Sequence, residues 1–177
     1  MIMNEINLII PAKEHEQQTA EFVAEFAEHG ESHIHGCGGL IKTNSYDEWL
    51  KNLNDYKEES KLPEGLVPSD TYFACRVCDN KIVGIISVRH RLNEFLIEYG
   101  GHIGYSVRPT ERRKGYATKM LALALEKCAE LGIKNVLITC NKDNFASSGT
   151  IIKNKGVLEN EILEKDGKIL QRYWINL

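Results

Sequence analysis

Residues 112–117, Arg-Arg-Lys-Gly-Tyr-Ala, combine positive charge with small side chains where a helix is expected to begin. The first backbone N–H groups of a helix have no partner inside the helix, and the helix dipole favours negative charge there. Gly115 and Ala117 would let a phosphate group approach the backbone closely, and the three basic residues before them add positive charge. The segment is therefore a candidate pyrophosphate site, although an ordinary basic helix start could have the same residues.

The elements predicted around this loop are a strand before it and an amphipathic helix after it. Residues 102–107 form the predicted strand, which Pro109 closes. From 117 to 131, apolar residues recur at helical spacing, and Gly132 suits the helix end because it accepts a left-handed backbone. A strand, a Gly-containing turn and a helix in this order can bind an anion at the start of the helix.

The rest of the chain predicts a mixed α/β fold. Hydrophobic spacing and turn residues predict helices over 16–27, 46–56 and 145–154, and strands over 7–10, 72–77, 82–88, 135–140, 157–163 and 169–175. The central order of strand, helix, strand, helix and strand, flanked by antiparallel hairpins, favours a mixed sheet with helices on both faces.

Composition limits the class of protein. A length of 177 residues fits one domain spanning 1–177, and a net charge of -3 provides no broad basic field for a nucleic-acid backbone. No stretch approaches the ~20 apolar residues of a membrane helix. The five cysteines lack the spacing of a disulfide framework, so we expect a cytoplasmic protein with free thiols and neither nucleic-acid nor membrane partners.

Residues 102–117, HIGYSVRPTERRKGYA, resemble the cofactor motif of the GNAT superfamily of N-acetyltransferases. The matching features are the pattern Arg112-x-x-Gly115-x-Ala117, a preceding strand that ends at Val107, and a long amphipathic helix that follows. The likeness continues through residues 139–147, TCNKDNFAS. The stretches 102–117 and 158–161 also resemble a bacterial group of predicted acetyltransferases whose substrates are unassigned.

The resemblance implies a GNAT-like acyl-CoA N-acyltransferase fold with a splayed central strand pair, here 102–107 and 135–140. In such a fold the pantetheine arm inserts between the two strands, and main-chain N–H groups hold the pyrophosphate without a metal. The cofactor core would span about 100–156. The residues expected to bind acetyl-CoA, the acyl donor, are Ser106, Val107, Arg112, Arg113, Lys114, Gly115, Tyr116, Ala117, Thr118, Asn144 and Ser147.

The implied reaction transfers an acetyl group to a primary amine by direct attack in a ternary complex. The backbone N–H of Val107 is the expected oxyanion donor, by analogy with the family. Ile151 stands where many members carry a tyrosine that protonates the leaving thiolate. Tyr105, Tyr173, water or no residue at all is left for that role.

The general base is also open in the sequence. Gly101 occupies a position where some family members carry a glutamate. The adjacent His102 titrates in a useful range, but it could equally be a strand-edge residue with a satisfied hydrogen bond. Glu98 and a water chain are further candidates. Without the usual acid and base, a non-catalytic acyl-CoA sensor is the alternative function, and a bulkier acyl group is a third hypothesis.

Residues 29–37, HGESHIHGC, contain enough imidazole and thiol for a zinc site. No second cluster supplies paired ligands at a fixed separation, so no metal is expected. The resemblance makes this segment an acceptor-side loop, with a plain flexible connection as the alternative. The acceptor would be a small-molecule or peptide amine, for which the acidic balance mildly suits a cation. The strand 169–175 could pair across a homodimer.

Overall fold

A computed structural model of the chain describes residues 5–177, which form two antiparallel sheets and four helices. The strands are β1 (Ile6–Ile9), β2 (Ser69–Arg76), β3 (Ile82–Arg89), β4 (Ile103–Val107), β5 (Asn135–Asn141), β6 (Val157–Leu163) and β7 (Ile169–Asn176). The helices are α1 (Glu16–Glu28), α2 (Tyr46–Asp55), α3 (Tyr116–Glu130) and α4 (Phe145–Lys153). Within residues 5–177, no helix is long and apolar enough to cross a membrane.

The strands pair as β1-β2-β3-β4 in one sheet and β5-β7-β6 in the other. Both hairpins expected from the sequence, β2–β3 and β6–β7, are present with antiparallel register. The mixed α/β fold is confirmed, with every ladder antiparallel. The sequence did not reveal a π-helical turn over Leu96–Gly100, which connects the end of β3 to β4.

Helices cover both faces of the four-stranded sheet, as the sequence predicts. Because side chains alternate along a strand, Ile86 and Val88 of β3 pack in a core with α3, and Ile85 packs in a second core. Ile82 also belongs to the second core, beyond a register shift in the β2–β3 ladder. The second core contains Trp49 of α2 and apolar residues of α1. The two cores fix α3 on one face and the α1–α2 segment on the other.

The two sheets meet where the start of β4 lies beside the middle of β5. Gly101 forms an isolated bridge with Ile138, and the backbone N–H of His102 donates to the Leu137 carbonyl oxygen at 2.7 Å. Gly101 has a φ of 67°, and an added Cβ would lie 2.5 Å from the Leu137 carbonyl oxygen. Beyond this junction β4 and β5 belong to separate sheets, which is the splayed central pair that the resemblance implies.

Strand β7 cannot pair across a dimer in the way the sequence suggested. It is the central strand of its sheet, with β5 on one edge and β6 on the other, so both of its hydrogen-bonding edges are occupied. The edge strands of this sheet are β5, which faces β4, and β6, whose side chains are almost all exposed. Strand addition on the side away from β4 would therefore involve β6.

Candidate active site

The backbone of β4 presents alternate residues to the gap between the sheets. The N–H of Arg108 donates to the Val83 carbonyl oxygen at 2.9 Å, and β3–β4 pairing sets Ser106 opposite Ile85. Hydrogen-bonded and non-bonded pairs alternate along an antiparallel ladder, so Ser106 and Arg108 bond to β3. The backbone groups of Tyr105 and Val107 therefore point away from β3, towards the gap.

The loop between β4 and α3 has the backbone expected of an anion site. Gly115 is the N-cap of α3 with a φ of 85°, and Arg113 also has a positive φ, of 64°. An added Cβ at Gly115 would meet no atom within 4 Å, so the left-handed backbone and not crowding favours glycine there. Since Gly115 has no side chain to cap the helix, the first turn of α3 faces open space beside it.

Two carboxylates, of the buried Glu111 and the partly buried Glu25, hold this loop against the sheet. Glu111 accepts from Arg76, Lys81 and Lys114 at 2.8–2.9 Å. Glu25 of α1 accepts from the Arg108 side chain at 2.5 Å, and from the backbone and hydroxyl of Thr110. Burial alone would raise the pKa of Glu111 and Glu25, but the facing donors lower both to about 2.

The basic residues of the loop differ in whether a carboxylate already binds them. Arg112 binds Glu31 through both terminal nitrogens, at 2.6 and 2.8 Å, and lies over the Phe26 ring. Hydrogen bonding to Glu31 raises the pKa of Arg112. Arg113, in contrast, is exposed and forms no ion pair among residues 5–177. The Arg112 side chain therefore connects the loop to the segment after α1.

A large cleft of about 800 Å³ opens between this loop, β4 and α4, and we call it the large cleft. Most residues expected to bind the cofactor line it, namely Ser106, Val107, Arg112, Arg113, Gly115, Tyr116, Ala117, Thr118, Asn144 and Ser147. Lys114 is the exception, because its ammonium group binds Glu111. The sequence did not predict Lys153, a cation that lines the large cleft from the end of α4.

A small cleft of about 270 Å³ adjoins the large cleft on the other side of the strand pair, and we call it the small cleft. It is lined by residues of the loop after α1, the ends of β3 and β4, the turn at Leu96–Gly100, and β5. Four residues line both clefts: His35, Tyr105, Asn144 and Ser147. The two clefts therefore meet at these four side chains.

The hydroxyl groups of Tyr105 and Ser147 are hydrogen-bonded to each other at this meeting point, with 2.9 Å between the two oxygens. Burial raises the pKa of Tyr105 to about 12, so the phenol stays protonated at neutral pH. Asn144 caps α4 by accepting from the Ser147 N–H at 3.1 Å. These contacts fix the positions of three polar side chains where the clefts meet.

The family model for the acetyltransferase (GNAT) family matches residues 41–150, which is more than half of the chain. The chain belongs to this family. It is therefore an N-acetyltransferase that uses acetyl-CoA as the acyl donor. A sequence search of curated proteins found no match.

Solved acetyltransferases share the fold at low sequence identity. The microcin C7 self-immunity acetyltransferase MccE, in complex with acetyl-CoA and AMP, has a TM-score of 0.70 and 17% identity, covering 100% of this chain and 98% of that chain. RimJ of Mycobacterium smegmatis, in complex with CoA-disulfide, has a TM-score of 0.71 and 14% identity, covering 98% and 83%. The dodecameric spermidine N-acetyltransferase of Vibrio cholerae has a TM-score of 0.67 and 12% identity, covering 97% and 93%.

This GNAT chain does not present His102 to either cleft. The His102 ring is buried, and its Nδ1 accepts the Leu137 N–H at 3.0 Å. Burial is the main cause that lowers the pKa of His102, and the charge of Arg89 adds to it. The ring thus joins β4 to β5 at the closed end of the strand pair, which is the strand-edge alternative weighed from the sequence.

The other positions of the family's usual acid and base are also closed. Ile151 is fully buried against Gly156, and a glutamate at Gly101 would collide with the β5 backbone. The Tyr173 hydroxyl donates to Gln171 at 2.7 Å, and Tyr173 and Glu98 line neither cleft. Of the acid and base candidates named from the sequence, only Tyr105 lies where the two clefts meet.

His35 is the titratable residue at the meeting point that sequence reasoning did not single out. Its side chain is exposed, and its pKa is lowered, first by desolvation and then by His33. The following Gly36 has a φ of 72°, and an added Cβ would lie 2.0 Å from the Gly104 carbonyl oxygen. The glycine at 36 therefore lets the loop lie directly on β4 and hold His35 beside the clefts.

The imidazoles of this loop form no evident metal centre. Within residues 5–177, no group of three or more His, Cys, Asp or Glu side chains is arranged to hold a metal ion. All five cysteines are free, and Cys37 of this loop is buried in the core with Trp49, whose indole N–H donates to the Cys37 carbonyl oxygen. These contacts anchor the loop to α2.

Proposed function

We propose that this GNAT chain binds acetyl-CoA in the large cleft and a primary amine in the small cleft, and transfers the acetyl group where the clefts meet. The observation that carries the proposal is the continuity of the two clefts through His35, Tyr105, Asn144 and Ser147. An amine and a thioester held there at once can react directly, because proximity replaces a covalent enzyme intermediate.

The donor would lie along the route that the family resemblance implies. Its pyrophosphate would meet the first turn of α3 and the exposed Arg113, with Lys153 as a further cation. The MccE structure contains acetyl-CoA and the RimJ structure contains CoA-disulfide, which supports a CoA-type ligand for this fold. The pantetheine arm would then pair with the outward-facing backbone of β4.

The backbone N–H of Val107 would stabilise the charge that develops on the thioester oxygen. The antiparallel register turns this N–H away from β3, so it has no ladder partner to lose when it binds a ligand. Such a donor acts mainly on the transition state, because the oxygen gains negative charge as the amine attacks.

His35 would accept the proton of the attacking amine, directly or through water. It is the imidazole that lines both clefts, and the lowering of its pKa favours the neutral form that can accept a proton. As the C–N bond forms and the C–S bond breaks, the amine proton passes to this ring and the thiolate leaves with the bonding electrons.

Tyr105 would donate a hydrogen bond to the departing sulfur. A phenol with a pKa of about 12 holds its proton more tightly than an ordinary thiol with a pKa of about 8.5. Proton transfer from Tyr105 to the thiolate is therefore unfavourable, and stabilisation by a hydrogen bond is the better description of the role. Solvent would supply the proton that completes CoA.

The decisive experiment measures thiol release from acetyl-CoA with a panel of amines, amino acids, polyamines and short peptides. The proposal expects release that depends on the amine and yields one N-acetylated product for each thiol. Tight acetyl-CoA binding without release for any amine would favour the non-catalytic sensor, the alternative raised by Ile151 and Gly101 in place of the family's usual acid and base. Competition between succinyl-CoA and acetyl-CoA would test the bulkier acyl group.

A further inference from the structure

The small cleft has an unusual charge for a site that receives an amine. Its lining within residues 5–177 contains no aspartate and no glutamate. The charged side chain that lines it is Arg89, at the end of β3, and His35 would add charge only when protonated. A polycationic acceptor would find repulsion there and no carboxylate to bind.

Arg89 differs from most arginines of the chain. Five of the seven form ion pairs with a carboxylate: Arg76, Arg91, Arg108, Arg112 and Arg172. The other two, Arg89 and the exposed Arg113, form none among residues 5–177, and each lines one of the clefts. Both guanidinium groups therefore lie beside a cleft without a carboxylate partner in the described part of the chain, and Arg113 faces the expected phosphate site.

The bonds of Arg89 leave part of its guanidinium group available. Nη1 donates to the carbonyl oxygens of Gly100 at 3.3 Å and Gly101 at 2.8 Å. Nε and Nη2 donate to no group in the described part of the chain, and neither is sealed from solvent. Because Nη1 is fixed by two carbonyl groups, the remaining N–H groups are oriented before a ligand arrives.

The surroundings of Arg89 also lack compensating charge. Burial lowers the pKa of Arg89, and no carboxylate contributes to raising it. The carboxylates of Glu98 and Glu164 act instead on the Tyr99 hydroxyl at the rim. A guanidinium group that is partly removed from water and has no carboxylate partner is expected to bind an anionic ligand group strongly. His102, which Arg89 also faces, is neutral and offers no such compensation.

We infer that the acceptor is a small amine that also carries a carboxylate or phosphate group, which Arg89 binds while the amine points towards His35 and Tyr105. The inference rests on the proposed function and narrows it to one substrate class. It opposes the mild preference for a cationic acceptor that the overall acidic composition suggested, since the local charge of the small cleft is positive.

The test compares acceptors that differ only in the anionic group. Free amino acids are paired with their amides, and phosphoethanolamine with ethanolamine, while spermidine represents a polycation. The measurement is kcat/KM for thiol release, corrected for the fraction of unprotonated amine. We expect the anionic member of at least one pair to be preferred by about 10- to 100-fold, with the two pairs separating carboxylate from phosphate.

Variants of Arg89 then show whether this side chain carries the preference. Arg89→Gln should reduce the ratio within a pair to about 2-fold or less, and Arg89→Lys should keep part of it. Structural damage to the variant does not affect this ratio, because kcat/KM for both acceptors is measured with the same protein. Arg91→Gln is the matched control, since Arg91 pairs with Glu59 outside both clefts and should leave the ratio unchanged.

Equal use of both members of each pair, a preference for spermidine, or a ratio that survives Arg89→Gln would overturn the inference and leave the transferase function intact. If no amine supports thiol release, calorimetry replaces kinetics. The CoA-bound protein should then bind an N-acetyl amino acid more tightly than its amide, and Arg89→Gln should abolish that difference. Equal binding of the two would reject the anionic site independently of catalysis.

Discussion

The large cleft and the small cleft lie on two sides of one strand pair, but different kinds of group build them. The large cleft takes most of its expected ligand contacts from the backbone between Ser106 and Thr118, a continuous segment. The small cleft takes its character from side chains of separate segments, among them His35, Arg89 and Tyr99. Backbone N–H groups survive most substitutions, so donor binding should persist while changes in a few side chains alter the acceptor.

The sharpest way to test this difference is to remove one backbone N–H without removing a side-chain function. Val107→Pro deletes the proposed oxyanion donor and should lower kcat by about 10²- to 10³-fold, as loss of an oxyanion donor does elsewhere. Because this N–H is outside the β3–β4 ladder, the strand should still form. Steady-state kinetics and a melting curve measure the two effects.

Val107→Ala is the control for the proline variant, since it shortens the side chain and keeps the N–H. It should retain kcat within about 3-fold. A proline variant that folds, binds acetyl-CoA and keeps the wild-type kcat would rule out Val107 as the oxyanion donor.

A second test places a charge at the start of α3. Gly115→Asp forces a side-chain residue into a φ of 85° and sets a carboxylate beside the expected pyrophosphate. Because the strain displaces the backbone of the binding loop and the carboxylate repels the phosphates, the variant should lose about 3 kcal/mol of acetyl-CoA binding, or roughly 150-fold in affinity. Isothermal titration with acetyl-CoA measures the loss.

Gly132→Asp provides a matched comparison for the Gly115 variant. Gly132 also has a positive φ, of 76°, with no atom within 4 Å of an added Cβ, but it lies beyond the opposite end of α3. Both variants bear the same backbone strain and the same added charge. Similar acetyl-CoA affinities for the two would show that the start of α3 does not hold the phosphates.

A third test concerns a side chain of the small cleft. His35→Asn should lower kcat/KM by about 100-fold at neutral pH, which is the low end of general-base contributions. The base is the neutral imidazole, whose pKa lies below its ordinary 6.5. Activity of the wild type should therefore be steady near pH 7 and fall as the pH drops below that lowered pKa. The pH profile of kcat/KM measures this acid limb.

The amine's own ionisation must be separated from that of His35. An acceptor whose amine has a lower pKa, such as an amino acid amide, shifts the part of the pH profile that is due to the amine and leaves the part that is due to His35 unchanged. The His35→Asn variant should lose only the part that is due to His35. If the variant keeps the complete wild-type profile, water and not His35 removes the proton.

The smallest expected effect concerns the thiolate. Tyr105→Phe removes one hydrogen bond to the leaving sulfur and should lower kcat by about 10-fold, with acetyl-CoA affinity nearly unchanged. Ser147→Ala removes the partner of the Tyr105 hydroxyl but leaves that hydroxyl in place, so it serves as the comparison. An unchanged kcat in Tyr105→Phe would assign stabilisation of the thiolate to solvent.

The sequence by itself identified the loop that lines the large cleft and most of the elements around it. The small residues at 115 and 117, the apolar spacing of α3 with its end at Gly132, and the turn between β2 and β3 are local properties, so they can be recognised without knowing which segments meet. The same locality explains why the predicted bounds of β6, 157–163, equal those of the structure, since turn residues flank that strand on both sides.

Only the tertiary structure decided which residues form the small cleft and which partners the polar and charged side chains bind. His102 looked available beside the strand, but its ring is committed to the Leu137 N–H, 35 residues away. Arg112 looked like a phosphate ligand, but Glu31 occupies its guanidinium group. His35 and Arg89 reach one cleft because Gly36 lies directly on Gly104 and because β3 ends beside the turn at Gly100. A backbone conformation is set by neighbours in the chain, whereas the partner of a side chain is set by the packing of distant segments. The sequence alone therefore pointed to the proposed donor cleft, and the proposed acceptor cleft became visible only in the fold.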